Sequence, residues 1–344
     1  MKITKHLILL LGLILTMSCS SNKVNDKKVS SIDSTLQAKA TEILKNEMNE
    51  ICARSGHVIV MDVHTGQIKS LVSLNRKDSL NFEDSEDYLT LHSSALFKTA
   101  SLLATLESGK VQLSGITDTK DGILYFENND TIYDNNWHRG GYGEISFLKG
   151  SICNSDISTV LALKNAFSTE DEYYKALDKI SANKPDSISG LGSFTEDGDT
   201  TSHSVYRDAI GFHKCSSLQT IALYNAIANN GVMVQPQIYA DSTIVINPTI
   251  VKESTINDIK EVLRRCVTEG IGIKTLSDKV TSAGRPGTIE FDKGKYRIEF
   301  CGYFPTENPK YCILVSLDKD GLPASGGAMA GTVFKDIMEY IADK

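Results

Sequence analysis

The side chains with the clearest chemical potential stand close together near residue 95. Ser94 and Lys98 are four residues apart in Ser93-Ser94-Ala95-Leu96-Phe97-Lys98. A helix there would put both on one face, where an amine can take a proton from a hydroxyl. A serine just before a helix also serves as an N-cap, so Ser94 has two readings, nucleophile or cap. Asn154 and the segment Arg285-Pro286-Gly287-Thr288 follow far along the chain, and the Arg285 guanidinium could grip a carboxylate bidentately. His138, within Asn136-Trp137-His138-Arg139-Gly140-Gly141-Tyr142-Gly143, reads as a loop hydrogen-bonding residue. The seven histidines show no ligand spacing and no cysteines stand as C-x-x-C, so no metal and no cofactor is expected. The acidic, Asn/Gly-rich stretches 128–136 and 196–199 lack EF-hand spacing and read as solvated loops.

The elements that must position these groups follow from periodicity. Leu36, Ala40, Ile43, Leu44, Met48 and Ile51 recur at helical spacing. Val58–Val63, His64-Thr65-Gly66 and Gln67–Ser73 read as strand, turn, strand. Ala95–Ser108 is a helix stopped by Gly109. Helices are expected over 156–167, over 169–176 behind a Thr169-x-x-Glu172 capping box, over 218–229, and after a Thr255-x-x-Asp258 box. Strands return at Thr288–Phe291, Tyr296–Phe304 and Tyr311–Leu317, before a last helix marked by Val333, Phe334, Ile337, Met338 and Ile341. The fold class is therefore mixed α/β (α+β). A mainly antiparallel sheet is built from both chain ends and flanked by helices, and a helix-rich lobe is inserted at about 110–250.

With 344 residues, 41% hydrophobic and 23% charged, the chain is a folded protein rather than a disordered or polytopic one. A net charge of −7 argues against nucleic acid as a partner. Lys2 and Lys5 precede the apolar run Leu7–Met17, which is too short to span a bilayer and reads as a signal-peptide core. Leu15-Thr16-Met17-Ser18-Cys19 resembles a bacterial lipobox, which implies acylation of Cys19 and a lipoprotein facing the periplasm. The expected divisions are a signal peptide at 1–18, a lipidated tether at 19–34 and one domain at 35–344. Cys301 and Cys312 flank the Pro305–Pro309 turn, where they read either as a disulfide pair placed directly opposite or as two buried thiols.

Four segments, 55–72, 93–111, 209–236 and 283–317, resemble the transpeptidase domain of penicillin-binding proteins, in order and with small gaps. The likeness is strongest to the class B division-type enzymes and implies their transpeptidase/β-lactamase-like fold. Their chemistry rests on S-x-x-K, S-x-N and K-T-G motifs around one cleft. In this alignment Ala95 takes the nucleophile position ahead of Lys98. Asn154 takes the Asn of S-x-N, with Ile152 at its Ser. Arg285-Pro286-Gly287 stands for K-T-G, followed by Thr288. The backbone N–H groups of Ala95 and Thr288 fall where the family places its oxyanion hole.

An alanine methyl cannot be acylated, so the resemblance implies a degenerate, penicillin-binding-protein-like lipoprotein of the cell envelope. Such a protein acts by binding a peptidoglycan stem peptide or a cell-wall synthesis or division protein, with Arg285, Gly287, Thr288 and Asn154 as binding residues. The rival reading is an active D,D-transpeptidase or D,D-carboxypeptidase that uses Ser94 and Lys98.

Overall fold

The computed structural model describes residues 29–79, 81–126, 130–188, 190–198, 203–239 and 242–344. The signal-peptide and Cys19 readings lie outside the described residues. The first helix, α1 (Ser34–Glu50), is capped by Asp33, whose carboxylate accepts from the N–H groups of Thr35 and Leu36. Just ahead of it Ser31 is already held in the fold, its N–H on Ile238 O and its hydroxyl on Ile68 O.

Strands β1 (Ser55–Asp62), β2 (Ile68–Arg76) and β3 (Phe82–Asp84) follow, then the short β4 (Thr90–Ser93) and helix α2 (Lys98–Glu107). The inserted lobe carries α3 (Phe147–Cys153), α4 (Asp156–Ala166), α5 (Glu170–Lys179), α6 (Ser217–Ala228) and α7 (Glu253–Thr268). The chain closes with β5 (Ala283–Asp292), β6 (Lys295–Phe304), β7 (Tyr311–Asp320) and α8 (Gly331–Ala342). The main sheet runs β5-β6-β7-β1-β2-β3, every neighbouring pair antiparallel, so strands from the two chain ends meet at β7 and β1.

Alternation along the strands divides the core in two. Val58, Val60, Val315 and Leu317 point to the face covered by α1 and α8, against Leu44, Met48, Val333 and Phe334. Ile59, Met61 and Leu314 point to the other face, against Leu96, Leu103, Leu218 and Ile221 of the helical lobe. The candidate site lies on this second face, where β5 passes the start of α2.

Three local expectations are corrected. The helix at 253–268 starts at Lys252 rather than at a Thr255-x-x-Asp258 box, because the Thr255 hydroxyl is drawn to Glu107 at 2.8 Å. Thr169 does cap α5, but Glu172 accepts from Ser168 N–H instead of completing the box. Cys301 stands opposite Leu314 and Cys312 opposite Tyr303, so the two cysteines are diagonal rather than facing, and both are free thiols.

Candidate functional site

Ala95 opens a single 3-10 turn, Ala95–Phe97, that runs directly into α2. Ser94 caps this turn, with Leu96 N–H donating to its Oγ at 3.3 Å. The same hydroxyl donates to Glu299 Oε2 at 2.8 Å, and it is to Glu299 rather than Lys98 that Ser94 is turned. Glu299 is buried, and desolvation pushes its carboxyl up to about 7 against the opposing pull of Arg297.

Two glycines allow the backbone to close on Ala95. At Gly287 on β5 a Cβ would stand 3.0 Å from the Ala95 methyl. At Gly211, with φ +126°, a Cβ would stand 2.7 Å from the Ala95 Cα. Ala95 is consequently buried.

One turn on, Lys98 is 1% exposed, and its ammonium must find partners inside the protein. It donates to Asn154 Oδ1 at 2.9 Å and is ion-paired to Asp156. Burial lowers the Lys98 pKa and nearby Arg285 lowers it further, while Asp156 acts in the opposite direction. Asn154 sits in the left-handed region, φ 61° and ψ 39°, where α3 ends, and Asp156 opens α4 behind the N-cap Ser155. This two-helix corner aims both side chains at Lys98.

The pair that meets Lys98 is therefore Asn154-x-Asp156. Ile152 is 1% exposed and lies toward Gly270, where a Cβ would stand 2.6 Å from Ile152 Cγ2. The polar side chains that face Lys98 are thus those of residues 154 and 156, and Ile152 is not among them. Asp156 was missed because the alignment kept asparagine on asparagine. The signal available was that Asn154-x-Asp156 is polar at both ends and abuts a helix start, whereas Ile152-x-Asn154 is apolar at one end.

Arg285, on β5 opposite Cys301, completes the cluster. It is 0% exposed and donates from Nη2 to the same Asn154 Oδ1 at 2.6 Å. Its Nε and Nη1 are buried without a hydrogen-bond partner among the described residues. Pro286, on this edge strand, removes one N–H from the open edge. Thr288 turns away from the cluster: it is exposed, and its Oγ1 accepts from Gly326 N–H at 2.9 Å. His138 is likewise exposed, accepting from Arg139 Nε at 3.2 Å. The structure thus gathers Ala95, Lys98, Asn154, Asp156, Arg285 and Gly287. The side chains of Ser94, Ile152, Thr288 and His138 lie elsewhere.

A sheet backed by two terminal helices, with a lysine one turn into a lobe helix facing an x-spaced polar pair and a basic residue on the edge strand, defines a transpeptidase-type scaffold. The chain belongs to the penicillin-binding protein transpeptidase family, whose "Penicillin binding protein transpeptidase domain" profile matches residues 56–339. It is similar to "Probable peptidoglycan D,D-transpeptidase PenA" of Neisseria flavescens, 23% identical over 333 residues, covering 90% of this chain and 80% of that protein. The namesake from Neisseria gonorrhoeae is 24% identical over 330 residues; there the chain spans only 55% of the relative's length. Among solved structures, the transpeptidase domain of Burkholderia pseudomallei penicillin-binding protein 3 superposes with a TM-score of 0.76 at 21% identity, covering 92% of this chain and 96% of that one.

Proposed function

We propose that this protein is a non-acylating member of the family that works by binding. The observation that carries this reading is the Ala95 methyl, held between Gly287 and Gly211 at the start of the lysine-bearing helix. A methyl offers no electron pair to a carbonyl carbon, and loss of the nucleophile alone costs on the order of 10⁶ in turnover in serine hydrolases. The rival nucleophile Ser94 is 1% exposed and bonded to Glu299, which speaks against its service to Lys98.

The ligand class supported best is a peptide ending in a carboxylate, as in a peptidoglycan stem peptide. A buried guanidinium with two unpartnered nitrogens is costly unless an anion meets it. Arg285 is fully buried, so such a ligand reaches it only as the segments around Ala95 move apart. The apolar run Leu7–Met17 and Cys19 support a lipid-held location at the cell envelope, with the tether ending ahead of Ser31, which is held in the fold.

Incubation with a labelled penicillin followed by intact-mass measurement tests the first claim. No adduct is expected, and a stoichiometric adduct on Ser94 would overturn it. Titration with a D-Ala-D-Ala peptide tests the second; equal affinity for wild type and Arg285→Ala removes Arg285 from the binding site.

A further inference from the structure

On the same face of the sheet, at the β5–β6 hairpin end, lies a separate cavity of about 680 Å³, a volume that suits a small organic ligand. Its floor is Gly56 and His57 of β1 with Ser316 and Asp318 of β7, and its walls include Asp87, Thr90, His92, Ser93, Phe212, Phe291 and Arg297. His92 is 4% exposed, and among the described residues neither ring nitrogen makes a hydrogen bond of normal geometry. An imidazole so placed retains an unused donor and an unused acceptor.

The charges of this lining favour one sign of ligand. Arg297 is committed, with Nε and Nη2 on Asp318 at 2.8 Å and Nη1 on the Ser93 carbonyl at 3.2 Å. Asp292 is paired with Lys295. Asp87 makes no ion pair among the described residues; burial raises its carboxyl pKa, while a hydrogen bond from Ser85 and the nearby Arg297 act the other way. Burial, together with Arg297, lowers the pKa of both His57 and His92, which disfavours a positive charge on either imidazole. The one Lys or Arg side chain of this lining among the described residues, Arg297, is already committed. An ammonium finds a carboxylate, an imidazole acceptor and the hydroxyls of Thr90 and Ser93, and the rings of Phe212 and Phe291 can flank its alkyl stem.

We infer that this cavity is a second binding site, for a ligand carrying a primary ammonium, recognised by Asp87 and His92. The inference does not depend on whether the Ala95 cluster can be acylated or binds a peptide. In a cell envelope the ammonium could come from a diamino-acid side chain or from an amino sugar.

Calorimetric titration of the full chain separates these sources. The probes are Nα-acetyl-lysine amide and glucosamine, set against the uncharged Nα-acetyl-norleucine amide and N-acetylglucosamine. One ammonium probe is expected to bind with single-site stoichiometry and to exceed its uncharged counterpart. Asp87→Asn should weaken it about tenfold or more, the loss of one charge-assisted hydrogen bond. Arg285→Met should leave it unchanged. His92→Gln provides a second variant should Asp87→Asn not fold. The inference is overturned if neither ammonium probe binds, if the uncharged counterparts bind as tightly, or if the Asp87 or His92 variant keeps wild-type affinity. Binding of the lysine probe alone assigns a peptide amine, and of glucosamine alone an amino sugar.

Discussion

Lys98 and Arg285, two cations buried to 1% and 0% exposure, converge on a single oxygen atom, Oδ1 of Asn154. A serine hydroxyl at that point could pass a proton between two basic groups. The amide oxygen of Asn154 can only accept, so it fixes the cations in place and relays nothing. Asp156 then holds the Lys98 ammonium in an ion pair, which opposes its use as a base.

Restoring the hydroxyl alone is therefore expected to fail. Ala95→Ser should give no more than trace labelling by penicillin, because Lys98 stays paired with Asp156. Adding Asn154→Ser, Asp156→Asn and Arg285-Pro286→Lys-Thr should produce a measurable adduct by intact mass. Full labelling of Ala95→Ser by itself would show that the Asp156 pair is no obstacle.

Asp156→Ala should lower stability by about 3 kcal/mol, since it leaves a buried ammonium without its counter-charge. Removing both partners, as in Lys98→Met with Asp156→Leu, should lower it less. Denaturant midpoints at constant slope measure both, and equal losses in the two variants would contradict the role given to the ion pair.

Arg285→Met should be neutral or stabilising, by about 1–4 kcal/mol, because it removes a buried charge with two unpartnered nitrogens. A clear loss of stability would mean that the guanidinium is structural. That outcome would weaken the argument that it waits for a carboxylate.

Glu299 gives stability a pH signature. Its ordinary pKa of 4.5 is raised to about 7 in the folded chain, chiefly by burial. Below 4.5 the carboxyl is protonated in both states and adds no pH dependence. From 4.5 to about 7 the unfolded chain sheds a proton that the folded chain retains, so the stability contribution falls as pH rises. Above about 7 the penalty is constant. Glu299→Gln should therefore raise the thermal midpoint relative to wild type more at about pH 8 than at about pH 4. The same change at both would show that Glu299 is not held protonated.

Ser94→Ala removes a cap and the partner of Glu299. A loss of about 1 kcal/mol is expected from the cap. Because Ser94 is not proposed to react, the penicillin labelling of wild type and variant should be alike; a wild-type adduct absent from the variant would restore Ser94 as nucleophile.

Residue order alone was enough for the scaffold. The alternation in 58–63 and 311–317 and the helical spacing of 36–51 and 333–341 announced a sheet made from both chain ends with helices packed on it. These features are legible because they are periodic and local, and each apolar stripe has one way to be buried. The placing of Ala95 one turn ahead of Lys98 was legible too, since helix geometry fixes that distance. The partners of Lys98 were not. Asn154 and Asp156 reach it across 56 and 58 residues, through a corner between two helices set by a left-handed residue. Sliding the alignment by two positions costs nothing in sequence yet exchanges Ile152 for Asp156. Nor could sequence place Thr288 on Gly326, Ser94 on Glu299, or His92 and Asp87 in the lining of one cavity. Those relations depend on which face each strand residue presents, and only packing the sheet against both helical layers decides that.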